Sequence, residues 1–136
     1  MTSPIGERYR AVVQRAGEAV ERCGRRLADV KVVVAAKTFA VESVRQAVDA
    51  GATDIGENYV QEARRKAKDL ARDEVRWHLI GRLQRNKAAQ VVALFHLVHS
   101  VDRVELAREL DRSASRAGVR ARCLVEVNLG GESSKG

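Results

Sequence analysis

Five residues carry groups suited to chemistry or polar recognition, and each stands at or near the end of a short apolar run: Lys37, Asn58, His78, Ser100 and Asn128. One is a primary amine and the other four are neutral hydrogen-bonding groups. No carboxylate pair accompanies them, and no cluster of histidines and cysteines has metal-ligand spacing. A lysine in such company suits condensation of its amine with a carbonyl, on a cofactor or on a substrate. Lys37 closes the run Val32-Val33-Val34-Ala35-Ala36, which is β-branched, uninterrupted and patterned as a strand buried on both faces. A lysine kept partly dry there would have a lowered pKa and a nucleophilic amine. The plainer reading is that Lys37 is the first solvated residue after the strand. Each companion has a structural alternative as well. Asn58 and Ser100 can cap helices, His78 can be a hydrogen-bonded core histidine, and Asn128 can satisfy turn backbone.

These residues are spaced by a repeating pattern. Apolar positions at three- and four-residue steps predict a first helix over residues 5–28, through Ile5, Tyr9, Val12, Ala16, Val20, Cys23 and Leu27. A strand over about 30–36 follows. Val41, Val44, Ala47 and Val48 form a short helix closed by Gly51, and Thr53-Asp54-Ile55-Gly56 is a second strand. Asn58 and Gln61 resemble a capping pair for a helix that turns Val60, Ala63, Ala67 and Leu70 inward. Val75–Ile80 is a third strand, residues 84–94 a helix, and Phe95–Ser100 a fourth strand. Asp102 and Glu105 again resemble a capping pair, before Val104, Ala107, Leu110 and Ala114. Gly118 closes that helix, and residues 121–128 form a fifth strand.

The strands start near residues 30, 53, 76, 97 and 121, at steps of roughly 23 residues; strict alternation at so even a step implies parallel strands joined by right-handed crossovers. Two α/β architectures fit: an open doubly wound sheet, or part of a (β/α) barrel of TIM type with about five of eight strands present. No Gly-rich phosphate fingerprint follows the first strand, which favours the barrel. In either architecture the functional groups collect at the carboxyl ends of the strands, where the five residues lie.

The totals narrow the function classes. At 136 residues, with 45% hydrophobic and 32% charged residues, the chain has the composition of one globular domain, expected to span residues 1–136. No run reaches the ~20 apolar residues of a membrane helix, and the N-terminus lacks the apolar core of a signal peptide. Cys23 and Cys123 are read as small buried hydrophobes in a reducing cytoplasm. The net charge of +7 raises nucleic-acid binding. The cations alternate with Glu and Asp along every helix and lack interleaved aromatics, which argues against a specific nucleic-acid partner.

Five segments together resemble one family. They are Val34-Ala35-Ala36-Lys37-Thr38; Ile55-Gly56-Glu57-Asn58-Tyr59-Val60-Gln61-Glu62; Trp77-His78-Leu79-Ile80-Gly81-Arg82-Leu83-Gln84-Arg85-Asn86-Lys87; Val98-His99-Ser100-Val101-Asp102; and Val127-Asn128 with Glu132, Lys135 and Gly136. In this order, along nearly the whole chain, they are similar to the pyridoxal phosphate homeostasis proteins. The resemblance implies a barrel like the N-terminal domain of alanine racemase. It also implies pyridoxal 5′-phosphate held as an imine on Lys37, and a cytoplasmic role in vitamin B6 homeostasis without an established reaction. Asn58 would sit near the cofactor ring, with His78, Ser100 and Asn128 lining the barrel mouth.

Two departures stand out. Arg82 occupies a position where the family commonly has His. The Ser- and Gly-rich loops that hold the cofactor phosphate in the family follow later strands, and nothing here matches them. The resemblance therefore covers the imine half of the site. A truncated barrel, completed by self-association or by a missing C-terminal half, is the corresponding expectation. The alternatives from other classes are a pyridoxal phosphate-dependent amino-acid racemase and a fragment without function. A racemase needs a second acid or base opposite the lysine. Tyr9 and Tyr59 are the only tyrosines, and the pattern places Tyr9 on the first helix and Tyr59 at a helix start.

Overall fold

A computed structural model describes residues 3–133. Its centre is one five-stranded sheet of order β1-β2-β3-β4-β5, every neighbouring pair parallel. The strands are β1 (Val34–Ala35), β2 (Asp54–Glu57), β3 (Arg76–Leu79), β4 (Phe95–Val101) and β5 (Cys123–Val125). The helices are α1 (Pro4–Arg22), α2 (Val41–Asp49), α3 (Val60–Leu70), α4 (Ala88–Leu94) and α5 (Val104–Ala117). A sheet that never reverses its order is the barrel topology; a doubly wound sheet would put β1 inside. The fold is therefore the expected α/β one, a five-stranded portion of a (β/α) barrel.

Alternation along the strands sorts side chains onto two faces. Ile55 and Trp77, paired across β2 and β3, join Val44, Ala47, Val48 and Ala63 in a buried cluster under α2 and α3. Leu79 and Val98 continue it under α4 and α5, with Leu83, Val91, Leu106 and Leu110. The opposite face carries Asp54, Gly56 and His78, with Arg76 at its rim.

Local chemistry explains the ends of the helices. Ser3 caps α1 through its hydroxyl, which accepts from the Gly6 N–H at 3.0 Å, and Pro4 begins the first turn. Gly24 (φ 68°) ends that chain direction, so α1 stops at Arg22 and residues 27–29 form a separate 3-10 turn. The sequence had implied one helix over residues 5–28, with Gly24 as the point where it ends or bends near Arg25, and the structure ends it there. Gly118 (φ 67°) closes α5 in the left-handed conformation, as its pattern predicted.

Several other expectations change. Neither capping pair forms: α3 begins at Val60 after Tyr59, and α5 at Val104 after Arg103, each without a side-chain cap bond. The buried stripe of α5 runs through Leu106, Leu110, Ser113 and Ala114, leaving Val104 and Ala107 exposed. Val32, Val33 and Val34 are half-buried, and only Val34 and Ala35 pair in β1. The reason is position: β1 and β5 are the sheet's two edges, and each has a neighbour on one side alone. Cys23 and Cys123 are exposed. Cys23 follows the last turn of α1, and Cys123 lies on the β5 edge, so no layer covers either.

Candidate functional site

Lys37 follows the end of β1, where the Ala36 N–H donates to the Gly56 carbonyl at 2.8 Å. The chain then turns sharply, with Thr38 at φ 67° and the Phe39 N–H returning to the Ala36 carbonyl at 3.2 Å. A positive φ at a β-branched residue is strained, and such strain persists only where surrounding bonds fix it. The alternation that sets Ala35 opposite Gly56 carries Lys37 and Asn58 toward the same face. Lys37 is exposed, not partly dry as the strand pattern had suggested, and makes no hydrogen bond or ion pair among the described residues.

Asn58 is half-buried at the end of β2, and its side chain is likewise unengaged. Its backbone is gripped from above. The Ile80 N–H donates to the Glu57 carbonyl at 2.9 Å, and Gly81 lies directly against the Asn58 main chain. A Cβ at Gly81 would stand 2.6 Å from Asn58 Cα and 2.9 Å from its carbonyl carbon, with the carbonyl oxygen closer still. Ser100, buried near the end of β4, donates its hydroxyl to the Gly81 carbonyl at 2.7 Å. Ser100 thus locks the loop after β3 and caps no helix.

His78 is fully buried on the inner face of β3. Its Nε2 lies 2.8 Å from Asp54 Oδ1 and its Nδ1 lies 2.9 Å from His99 Nε2. Burial pushes His78 below its ordinary pKa against the pull of Asp54, and burial does the same to His99. Burial also raises the Asp54 carboxyl, but hydrogen bonds from Arg76, His78 and Thr53 outweigh it and hold that carboxyl far below the usual range. Arg76 approaches at 2.6 Å, and Lys31 adds an ion pair at 3.4 Å. The core-histidine alternative describes this geometry. Asn128 stands apart, exposed on the loop after β5, where its amide donates to the Glu132 carbonyl at 2.9 Å. Lys135 and Gly136, part of the fifth motif, lie outside the described residues.

Two residues outside the expected set complete the strand ends. Lys66 on α3 is buried, although the charge pattern had put it on a helix surface; it donates to the Ala36 carbonyl at 2.9 Å and pairs with the buried Glu57. The signal was present in the sequence. Lys66 falls three residues after Ala63 and four before Leu70, inside the apolar stripe. No metal-binding group of His, Cys, Asp and Glu occurs among the described residues.

A cleft of about 350 Å³ lies elsewhere, between α1, α2 and the β1 edge, and is lined mainly by apolar groups including Val12, Val33, Phe39 and Val44. Its polar lining is limited to Arg8, Tyr9 and Ser43 at the edge of an apolar wall, so the strand ends are the stronger candidate. A free amine and a free amide at the ends of the neighbouring strands β1 and β2 match what an aldehyde-bearing pyridine cofactor requires of its lysine half: a nucleophile and a hydrogen-bonding group near the ring. The donor set therefore fits the imine portion of pyridoxal phosphate.

A parallel sheet in sequential order, with a free lysine at the mouth of its first strand, defines a lysine-bearing (β/α) barrel. Residues 8–134 match the family described as alanine racemase, N-terminal domain, and the chain belongs to that family. Within it the chain is similar to two proteins named pyridoxal phosphate homeostasis protein. One, from Aquifex aeolicus, is 39% identical over 130 residues, spanning 96% of this chain and 57% of the relative. The other, from Pseudomonas aeruginosa, is 38% identical over 133 residues, spanning 98% of this chain and 58% of the relative. The structure of PipY of Synechococcus elongatus with PLP bound superposes with a TM-score of 0.72 at 36% identity, covering 75% of this chain and 49% of that one. The chain thus spans little more than half the length of these curated relatives. No helix among the described residues is long and apolar enough to cross a membrane.

Proposed function

We propose that this chain supplies the lysine half of a pyridoxal phosphate site and serves in intracellular homeostasis of that cofactor, in the cytoplasm, without a turnover reaction of its own. The observation that carries the reading is Lys37: an unengaged amine on a fixed turn at the carboxyl end of β1, next to the strand that ends in the unengaged Asn58. The names of the relatives and the PLP-bound PipY structure support the choice of cofactor. The exposed thiols of Cys23 and Cys123 suit a reducing compartment.

In this reading the Lys37 nitrogen adds to the cofactor's aldehyde carbon, water leaves, and a C=N bond remains. Asn58 offers its amide to the ring. Ser100 keeps Asn58 in place through Gly81, and His78 supports the inner face one layer below. Asn128, on its separate loop, is assigned to the rim of the mouth.

Borohydride reduction in the presence of the cofactor, followed by peptide mapping, tests the proposal. Label is expected on Lys37 in preference to the other five lysines and is lost in Lys37→Ala. Label chiefly elsewhere, or undiminished in the variant, refutes it.

A further inference from the structure

Lys66 and Glu57 form a buried ion pair that the proposed chemistry does not use, each side chain 1% exposed. Burying two charges is costly, and an apolar pair of similar volume serves a core as well or better. A stability role therefore does not account for the pair; its placement does. Glu57 immediately precedes Asn58, and Ala36 immediately precedes Lys37. The Lys66 ammonium binds both, through the Glu57 carboxylate and the Ala36 carbonyl at 2.9 Å. The same carbonyl accepts from Phe39 N–H, closing the turn that holds Thr38 at positive φ. One cation thus ties three segments together: α3, the end of β2 and the turn carrying the reactive amine. An ammonium has three donors and no acceptor, so one group bonds a carbonyl and a carboxylate at once.

The geometry points to Lys66, seated by Glu57, as the positioning residue that fixes Lys37 against Asn58. This rests on the reading of Lys37 as the cofactor lysine, but the placement can be measured without cofactor. Three chains serve: wild type, K66M/E57L, which replaces the ion pair by an apolar contact, and E57Q, which keeps the Lys66 bond to Ala36. Thermal unfolding, the rate of borohydride-trapped labelling at Lys37, and hydrogen exchange at the Phe39 amide are followed in each.

K66M/E57L is expected to unfold no earlier than wild type, yet to label Lys37 at least about tenfold more slowly, since misplacing a reacting group by ~1 Å costs up to about a hundredfold. Its Phe39 amide exchanges about tenfold faster, because the turn has lost an anchor. E57Q stays within about threefold of wild type in labelling, since the bond to Ala36 remains. Wild-type labelling and Phe39 exchange in a folded K66M/E57L overturn the inference while leaving the cofactor proposal standing. Failure of K66M/E57L to fold also overturns it, because the pair then serves the fold. If wild type carries no label at Lys37, the cofactor proposal falls and the Phe39 exchange alone decides the positioning role.

Discussion

Gly81→Ala tests the architecture of the strand ends most directly. The added Cβ meets three backbone atoms of Asn58, two of them at 2.6 and 2.9 Å, where no side chain can rotate away. Carbon contacts relax near 3.5 Å, so the two segments must separate by roughly 1 Å. Two hydrogen bonds span that gap or brace it: Ile80 N–H to the Glu57 carbonyl at 2.9 Å, and the Ser100 hydroxyl to the Gly81 carbonyl at 2.7 Å. Weakening both costs up to about 1–3 kcal/mol, at roughly 0.5–1.5 kcal/mol each. Overpacking adds about 1–3 kcal/mol. The sum, roughly 2–6 kcal/mol, is a large share of the ~5–15 kcal/mol that stabilises a domain. Urea unfolding followed by circular dichroism measures it. Gly17→Ala is the control on the same chain. Its Cβ has only Leu27 nearby, at 3.9 Å, and Ala is the better helix former by up to ~1 kcal/mol, so it should be neutral or stabilising. A Gly81→Ala chain within ~0.5 kcal/mol of wild type, inside the scatter of surface substitutions, would mean that the loop after β3 does not lie on Asn58.

Three further outcomes follow from the same geometry. Ser100→Ala leaves the Gly81 carbonyl without its buried donor and should cost about 1–3 kcal/mol in denaturant unfolding, with no loss if the loop is held some other way. Acidification should destabilise the fold from just below pH 6.5. His78 and His99 titrate lower when folded than unfolded, so the unfolded chain binds more protons; stability is complete above the unfolded value and falls as pH drops toward the folded ones. One such histidine gives a slope of up to about 1.4 kcal/mol per pH unit in that window, and His78→Gln should flatten it. Asp54, held low, adds a second loss only below the ordinary carboxylate range. Finally, β1 and β5 present open edges, with Leu124 and Val125 exposed, so the isolated chain should self-associate in size-exclusion chromatography. A stable monomer at high concentration contradicts that expectation.

The sequence by itself determined the element order, the parallel sheet and the family. Apolar spacing and strand period are local properties, and glycines at turns such as Gly118 mark boundaries directly. It also singled out Lys37, because a lysine ending a β-branched run is conspicuous in one dimension. Helix phase and capping were less legible: Asp102 and Glu105 have the right spacing, yet α5 begins at Val104 without them. Only the tertiary structure decided what each polar group touches. Lys66 reads as one more cation in a basic helix until Glu57 and Ala36, nine and thirty residues away along the chain, close around it. His78 reads as a mouth residue until Asp54 and His99 take both of its ring nitrogens. The reason is that burial of a charge or an imidazole depends on partners brought from other strands. A one-dimensional pattern records which face a residue occupies, and the partners waiting on that face are set by the packing of the sheet.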